Sequence, residues 1–228
     1  MEATATHGPP LGHSPDAREG VLGRLRWAWP LAILLGFPIG GYAANLIVGK
    51  IDSVGAALLG GLIAGAIVGA AQWWALRAFV TWAWVVATSV GMGAGLAAGA
   101  ALVDYGIGRA DLPLMGAVTG VAVGGLQALL LARRGSGAAW WVLVQPPAWA
   151  LAWIVTTFVI TRNVAEQFAV FGASGALVYA LLTWPILSLL FRRDGGRTAP
   201  SSAVRQERRP TPRFDGAGCD RGGRRRRA

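Results

Sequence analysis

Cysteine occurs once in the 228 residues and lysine once, against 20 arginines. A single thiol, Cys219, excludes an intrachain disulfide and says nothing about redox compartment. Charge is scarce at 14% of residues, well below the roughly 25% of soluble domains. The two histidines, His7 and His13, lie in a stretch without periodicity and are too few for a metal set. The scarcity is also uneven. No Asp, Glu, Lys, Arg or His falls within six apolar runs, at about 27–48, 54–76, 79–103, 113–132, 138–161 and 168–191. That pattern excludes the usual intramembrane proton relay or ion-coupled pathway. It leaves no acid–base pair and no nucleophile–base pair at depth, and no His-ligated haem or chlorophyll within the bilayer. Asp104, Arg109 and Asp111 form the one polar loop where an interfacial site is conceivable, and they read more simply as a solvated loop. The expectation is therefore no catalytic residue, no cofactor, no metal, and no enzyme.

What is abundant is grease. Hydrophobic residues make up 54% of the chain, and the runs have the ~20-residue length that spans hydrocarbon. The expected fold is all-α, a six-helix transmembrane bundle. Residues 1–23 read as a disordered tail, 24–193 as the transmembrane domain, and 194–228 as a disordered basic tail. A cleaved signal peptide competes for the first run. Its apolar core runs about 7–15 residues, and this run is longer and leads into a matching second span. Pro30 is expected in the first turn of the first helix, where proline is tolerated. From Arg192 onward there are 12 Arg and 4 acidic residues, so the tail carries +8 of the net +10.

Basic residues orient the spans. Arg24, Arg26, Arg77, Arg133, Arg134, Arg192 and Arg193 fall on one side of the membrane, and Lys50, Arg109 and Arg162 on the other. The positive-inside rule makes the first side cytoplasmic. The expected location is the cytoplasmic membrane, with both termini in the cytoplasm. The terminal Arg224–Arg227 run suits anionic lipid headgroups. Nucleic acid is the weaker partner for it, because the spans already hold the chain at the bilayer.

One motif is duplicated. Gly61, Gly65, Gly69 and Gln72 recur as Gly116, Gly120, Gly124 and Gln127, each offset by 55 residues. Trp27, Trp29, Gly36 and Gly40 recur as Trp82, Trp84, Gly91 and Gly95 at the same offset. The unit is a whole hairpin, with boundaries at about 24–78 and 79–134. A third, degenerate unit spans 138–193, in which Tyr179 stands where Gln is expected. Glycine at every fourth residue makes a smooth stripe on one helix face, which lets backbones approach closely in lipid. Gly61, Gly65, Gly69, Gly116, Gly120 and Gly124 are therefore helix-packing residues. Packing inside one bundle is the simpler reading, and a seam with a second copy or another membrane protein competes with it.

Gln72, Gln127, Gln145 and Tyr179 are the candidate ligand-contacting residues. Interhelical hydrogen bonding is the plainer role for them, at ~1 kcal/mol each. Trp27, Trp29, Trp73, Trp74, Trp82, Trp84, Trp140 and Trp141 cluster at cytoplasmic ends, the depth tryptophan prefers. Trp149, Trp153 and Trp184 lie deeper and read as core. Gln145-Pro146-Pro147 is expected to interrupt the fifth span, since proline removes backbone donors.

The run GxxxGxxxGxxQWWxLR, with Gln72-Trp73 as its clearest instance, resembles a loosely defined set of bacterial polytopic membrane proteins with repeated Gly-ladder/Gln-Trp hairpins. The resemblance covers about Trp27–Arg134; Ala128 replaces the Trp in the second unit and the third lacks the pair. It implies architecture and no activity. Three hairpins in six spans also bring mitochondrial carriers to mind. That family needs Pro-x-acidic-x-x-basic in its odd helices, and Pro38-Ile39-Gly40 and Pro146-Pro147-Ala148 do not supply it. Two function classes follow. One is a non-catalytic scaffold or accessory subunit; the other is passive transport or binding of a small neutral or lipid-like molecule.

Overall fold

The computed structural model describes residues 15–133, 137–159 and 172–197. These form six helices: α1 (Pro15–Val48), α2 (Val54–Leu76), α3 (Ala83–Leu102), α4 (Asp111–Ala132), α5 (Ala138–Val159) and α6 (Ala173–Arg197). All six contain a segment long and apolar enough to cross a membrane, so the chain has the make-up of a multi-pass membrane protein.

Each helix backbone packs on its sequence neighbours, and α1 packs on α6. No other pair among the described helices comes into backbone contact. The result is a closed ring of six antiparallel helices, across whose axis only side chains meet. Large apolar side chains such as Leu35, Ile39, Leu46, Val121, Leu143 and Leu181 point away from the ring and stay exposed. That is the expected arrangement where lipid, not water, surrounds the outer face.

Local chemistry sets the helix ends. Ser53 caps α2, its hydroxyl accepting from the Ala56 N–H at 3.2 Å. Gly49 takes φ +74° just past α1, the left-handed stop that glycine adopts without strain. Asp111 opens α4 and accepts from the Gly108 N–H at 2.9 Å, a carboxylate at the positive helix end.

Several boundaries differ from the sequence expectation. α1 begins at Pro15, inside the stretch read as a disordered tail. Ser14-Pro15-Asp16 is itself a helix-start pattern, with proline at the first position and an acid in the first turn. Pro30 is consequently an internal proline, not a first-turn one. α3 starts at Ala83, not at 79. Phe79 instead stacks on Phe191 of α6, with centroids 4.1 Å apart, so the α2–α3 loop reaches across the arginine-rich mouth of the ring. At the opposite mouth, Ile51 of the α1–α2 loop is buried. Pro146 and Pro147 do not interrupt α5, which runs unbroken through both. The ends expected for the fifth and sixth spans, at 161 and 168, and the tail from 198 onward lie outside the described residues.

Candidate functional site

The glycine stripes determine how close the helices come. A Cβ added at Gly61, Gly65 or Gly69 of α2 would lie 2.6–2.9 Å from atoms of Met92, Ser89 and Thr88 on α3. At Gly120 and Gly124 of α4 it would meet Gln145 on α5 at 2.7–2.8 Å, and at Gly116 it would strike the Trp153 ring. Both stripes therefore face the next helix in the chain. Gly36 and Gly40 of α1 face α2, and Gly91, Gly95 and Gly99 of α3 face α4.

That closeness brings polar side chains into one buried network near the arginine-rich end. Trp84 Nε1 donates to Gln72 Oε1 at 2.9 Å, and Trp141 Nε1 donates to Gln127 Oε1 at 2.9 Å. Trp29 Nε1 donates to Thr183 Oγ1 at 3.0 Å. In each case a tryptophan of an odd helix bonds a polar residue of the even helix before it around the ring. Trp29, Trp84 and Trp141 are fully buried and converge on the axis, with Trp141 centroids 6.2 Å from both others. Such offset and edge-on ring pairs are favourable geometries.

The amides are cross-linked as well. Gln127 Nε2 donates to Gln72 Oε1 at 3.1 Å and to Thr88 Oγ1 at 2.8 Å. Thr88 sends its own proton to the Trp84 carbonyl at 2.8 Å. One turn deeper, Gln145 Oε1 accepts from Tyr179 OH at 2.8 Å and from Trp149 Nε1 at 3.1 Å. Phe37, Trp149 and Tyr179 close this level as three mutually contacting rings, 5.4–5.8 Å apart.

The four residues singled out as ligand-contacting fall in two buried pairs, Gln127 with Gln72 and Tyr179 with Gln145. Their other partners are the buried side chains of Trp84, Thr88, Trp141 and Trp149. The exception is Gln145 Nε2, buried with no hydrogen-bond partner. Neither the small cavity beside Ile51 and Met115 nor the larger one beside Val80 and Arg133 is lined by any of the four.

Neither protein-family models, nor curated proteins, nor solved structures give a match to this chain. The geometry must therefore carry the functional argument alone.

Sequence reasoning missed two features. The acceptor on α6 that pairs with an axial tryptophan is Thr183, a residue the motif does not mark, while Tyr179, which stands at the glutamine position of the motif, bonds Gln145. The eight tryptophans grouped at the cytoplasmic ends also divide. Trp27, Trp73, Trp74, Trp82 and Trp140 are exposed, while Trp29, Trp84 and Trp141 are the axial trio. Trp27 and Trp29 are two residues apart, about 200° around a helix, so they cannot share a face. That spacing was the available signal.

The polar loop between α3 and α4 gathers no cluster. Asp111 holds its own turn, and the Arg109 guanidinium sits over the Phe158 ring at 5.6 Å. Among the described residues, no three His, Cys, Asp or Glu side chains come together.

Proposed function

We propose that this chain is a non-catalytic scaffold or accessory subunit of the cytoplasmic membrane. In this reading its bundle is built from three tandem hairpins, at about 24–78, 79–134 and 138–193, around a pseudo-threefold axis along the membrane normal. The offset-55 motif and the three Trp-to-acceptor bonds support the hairpin reading. The observation that carries the function is the filled axis. Trp29, Trp84 and Trp141 occupy it at 0% exposure, and their indole N–H groups are satisfied within the bundle. A pathway for solute needs polar groups turned toward a passage, and here they are turned toward each other.

Reconstituted full-length protein is therefore expected to leave the glycerol and urea permeability of liposomes at the protein-free value, measured by stopped-flow light scattering. A clear increase in flux overturns the scaffold reading. Purification in mild detergent is expected to yield a stoichiometric membrane partner or a second copy.

The bare Gln145 Nε2 favours a second reading, binding of a small neutral molecule that presents a hydrogen-bond acceptor. Gln145→Leu separates the two. If flux is present and Gln145→Leu abolishes it, the second reading stands; if flux is present and unchanged, that site is wrong.

Arginines at one mouth of the ring support cytoplasmic termini. With Cys219 replaced by serine, a cysteine at Asp111 is expected to react with an impermeant maleimide on intact spheroplasts. Reaction only after lysis reverses the orientation.

A further inference from the structure

At the arginine-rich end, the α2–α3 loop and the last turn of α4 border a cavity of about 180 Å³, lined by Val80, Thr81, Ala83, Leu130 and Arg133. One water occupies about 30 Å³ of liquid, so this space suits a group of phosphate size with its first carbons. The lining is two-natured. Val80, Ala83 and Leu130 supply apolar wall, while Thr81 supplies a hydroxyl and Arg133 a guanidinium. Among the described residues no acidic side chain lines it, and Asp52, Asp104 and Asp111 belong to the opposite end of the ring. α3 begins at the cavity wall, and Trp82 gives its N-terminus no side-chain cap, so the positive end of that helix adds to the field. Trp82 itself is 70% exposed, the disposition of a ring at headgroup depth.

We propose that this cavity binds the phosphodiester headgroup of an anionic membrane lipid. Arg133 and Thr81 contact the phosphate oxygens, and the glycerol and first acyl carbons lie along Val80 and Leu130. The site is separate from the arginine tail and rests on the membrane placement of the chain. The bilayer delivers this chemistry at the right depth, whereas a soluble phosphate ester would not use the apolar wall. Arg133 has a competing ordinary role. It is the C-cap residue of α4, where a cation complements the helix dipole whatever the lipid.

The test is native mass spectrometry of the full chain in mild detergent, titrated with phosphatidylglycerol. Arg133→Gln is expected to weaken binding of the first phosphatidylglycerol about fivefold, the effect of one charge near an anionic headgroup. Leu130→Trp, which fills the cavity and keeps the charge, is expected to weaken it at least as much. Arg227→Gln in the tail is expected to change it less than twofold, and 10-fold molar excess of inorganic phosphate is expected not to displace the lipid. Equal affinity in wild type, Arg133→Gln and Leu130→Trp overturns the proposal. So does an equal loss in Arg227→Gln and Arg133→Gln, and displacement by inorganic phosphate assigns the cavity to a soluble ester instead. Should Arg133→Gln fail to fold, the Leu130→Trp result decides alone. Retention of wild type in carbonate-washed membranes checks the membrane placement separately.

Discussion

Gly120→Leu is expected to stop α4 from seating on α5, while Gly125→Leu, on the same helix, is expected to be tolerated. A Cβ at position 120 would lie 2.8 Å from the Gln145 carbonyl oxygen and 2.9 Å from Pro146 Cα. Both are backbone atoms, so no rotamer change relieves the clash. Pro146 also stiffens the segment it would have to displace. At Gly125 a Cβ meets nothing within 4 Å. Overpacking of this kind costs about 1–3 kcal/mol where neighbours can adjust; with backbone on the opposing side the upper end applies, ~3 kcal/mol or more. Gly125→Leu should stay within ~0.5 kcal/mol, as changes away from such contacts do. Unfolding by SDS in mixed micelles, followed by tryptophan fluorescence, compares the two. Equal midpoints for the two variants would show that the α4–α5 contact is not close-packed. Gly65→Leu is the parallel case on α2, its Cβ falling 2.7 Å from Ser89 Cα.

Gln127→Leu is the second large effect. Gln127 gives its amide protons to Gln72 and Thr88 and accepts from Trp141, all in buried positions. Leucine leaves the Trp141 N–H without its acceptor, and an orphaned buried donor costs about 1–3 kcal/mol. The expected loss is ~2 kcal/mol. Trp141→Phe in the same chain removes the orphan, so the double variant should be ~1 kcal/mol less destabilised than the two single losses summed. Interhelical bonds in lipid average below or near 1 kcal/mol, which makes the coupling small but measurable in the same SDS titration. Simple additivity would mean that the Gln127–Trp141 bond contributes nothing.

Much of this architecture is legible in the sequence. Run length and charge exclusion locate six membrane-length helices, because hydrocarbon tolerates little else. Four-residue spacing of Gly61, Gly65 and Gly69 predicts a close helix contact, although it does not name the neighbour. What was not readable depends on register and on tertiary competition. The motif puts Tyr179 at the glutamine position of α6, and nothing in it points to Thr183, which accepts the Trp29 N–H. Phe79 and Val80 look as helical as their neighbours by hydropathy. They leave the helix because Phe191 and the interior of the mouth offer them burial. The two prolines in α5 predict a break by local rules, yet α5 continues. Its neighbour α4 presents glycine at 120 and 124, so the chain around Gln145 and Pro146 is held against a smooth surface.

The closure of α1 on α6 carries a consequence for biogenesis. Trp29 leaves the ribosome long before Thr183, 154 positions later. Until the final segment enters the bilayer, the nascent chain is an unclosed arc whose leading indole lacks its eventual acceptor. Assembly of this protein is thus finished at the α1–α6 contact, the last one that synthesis makes possible.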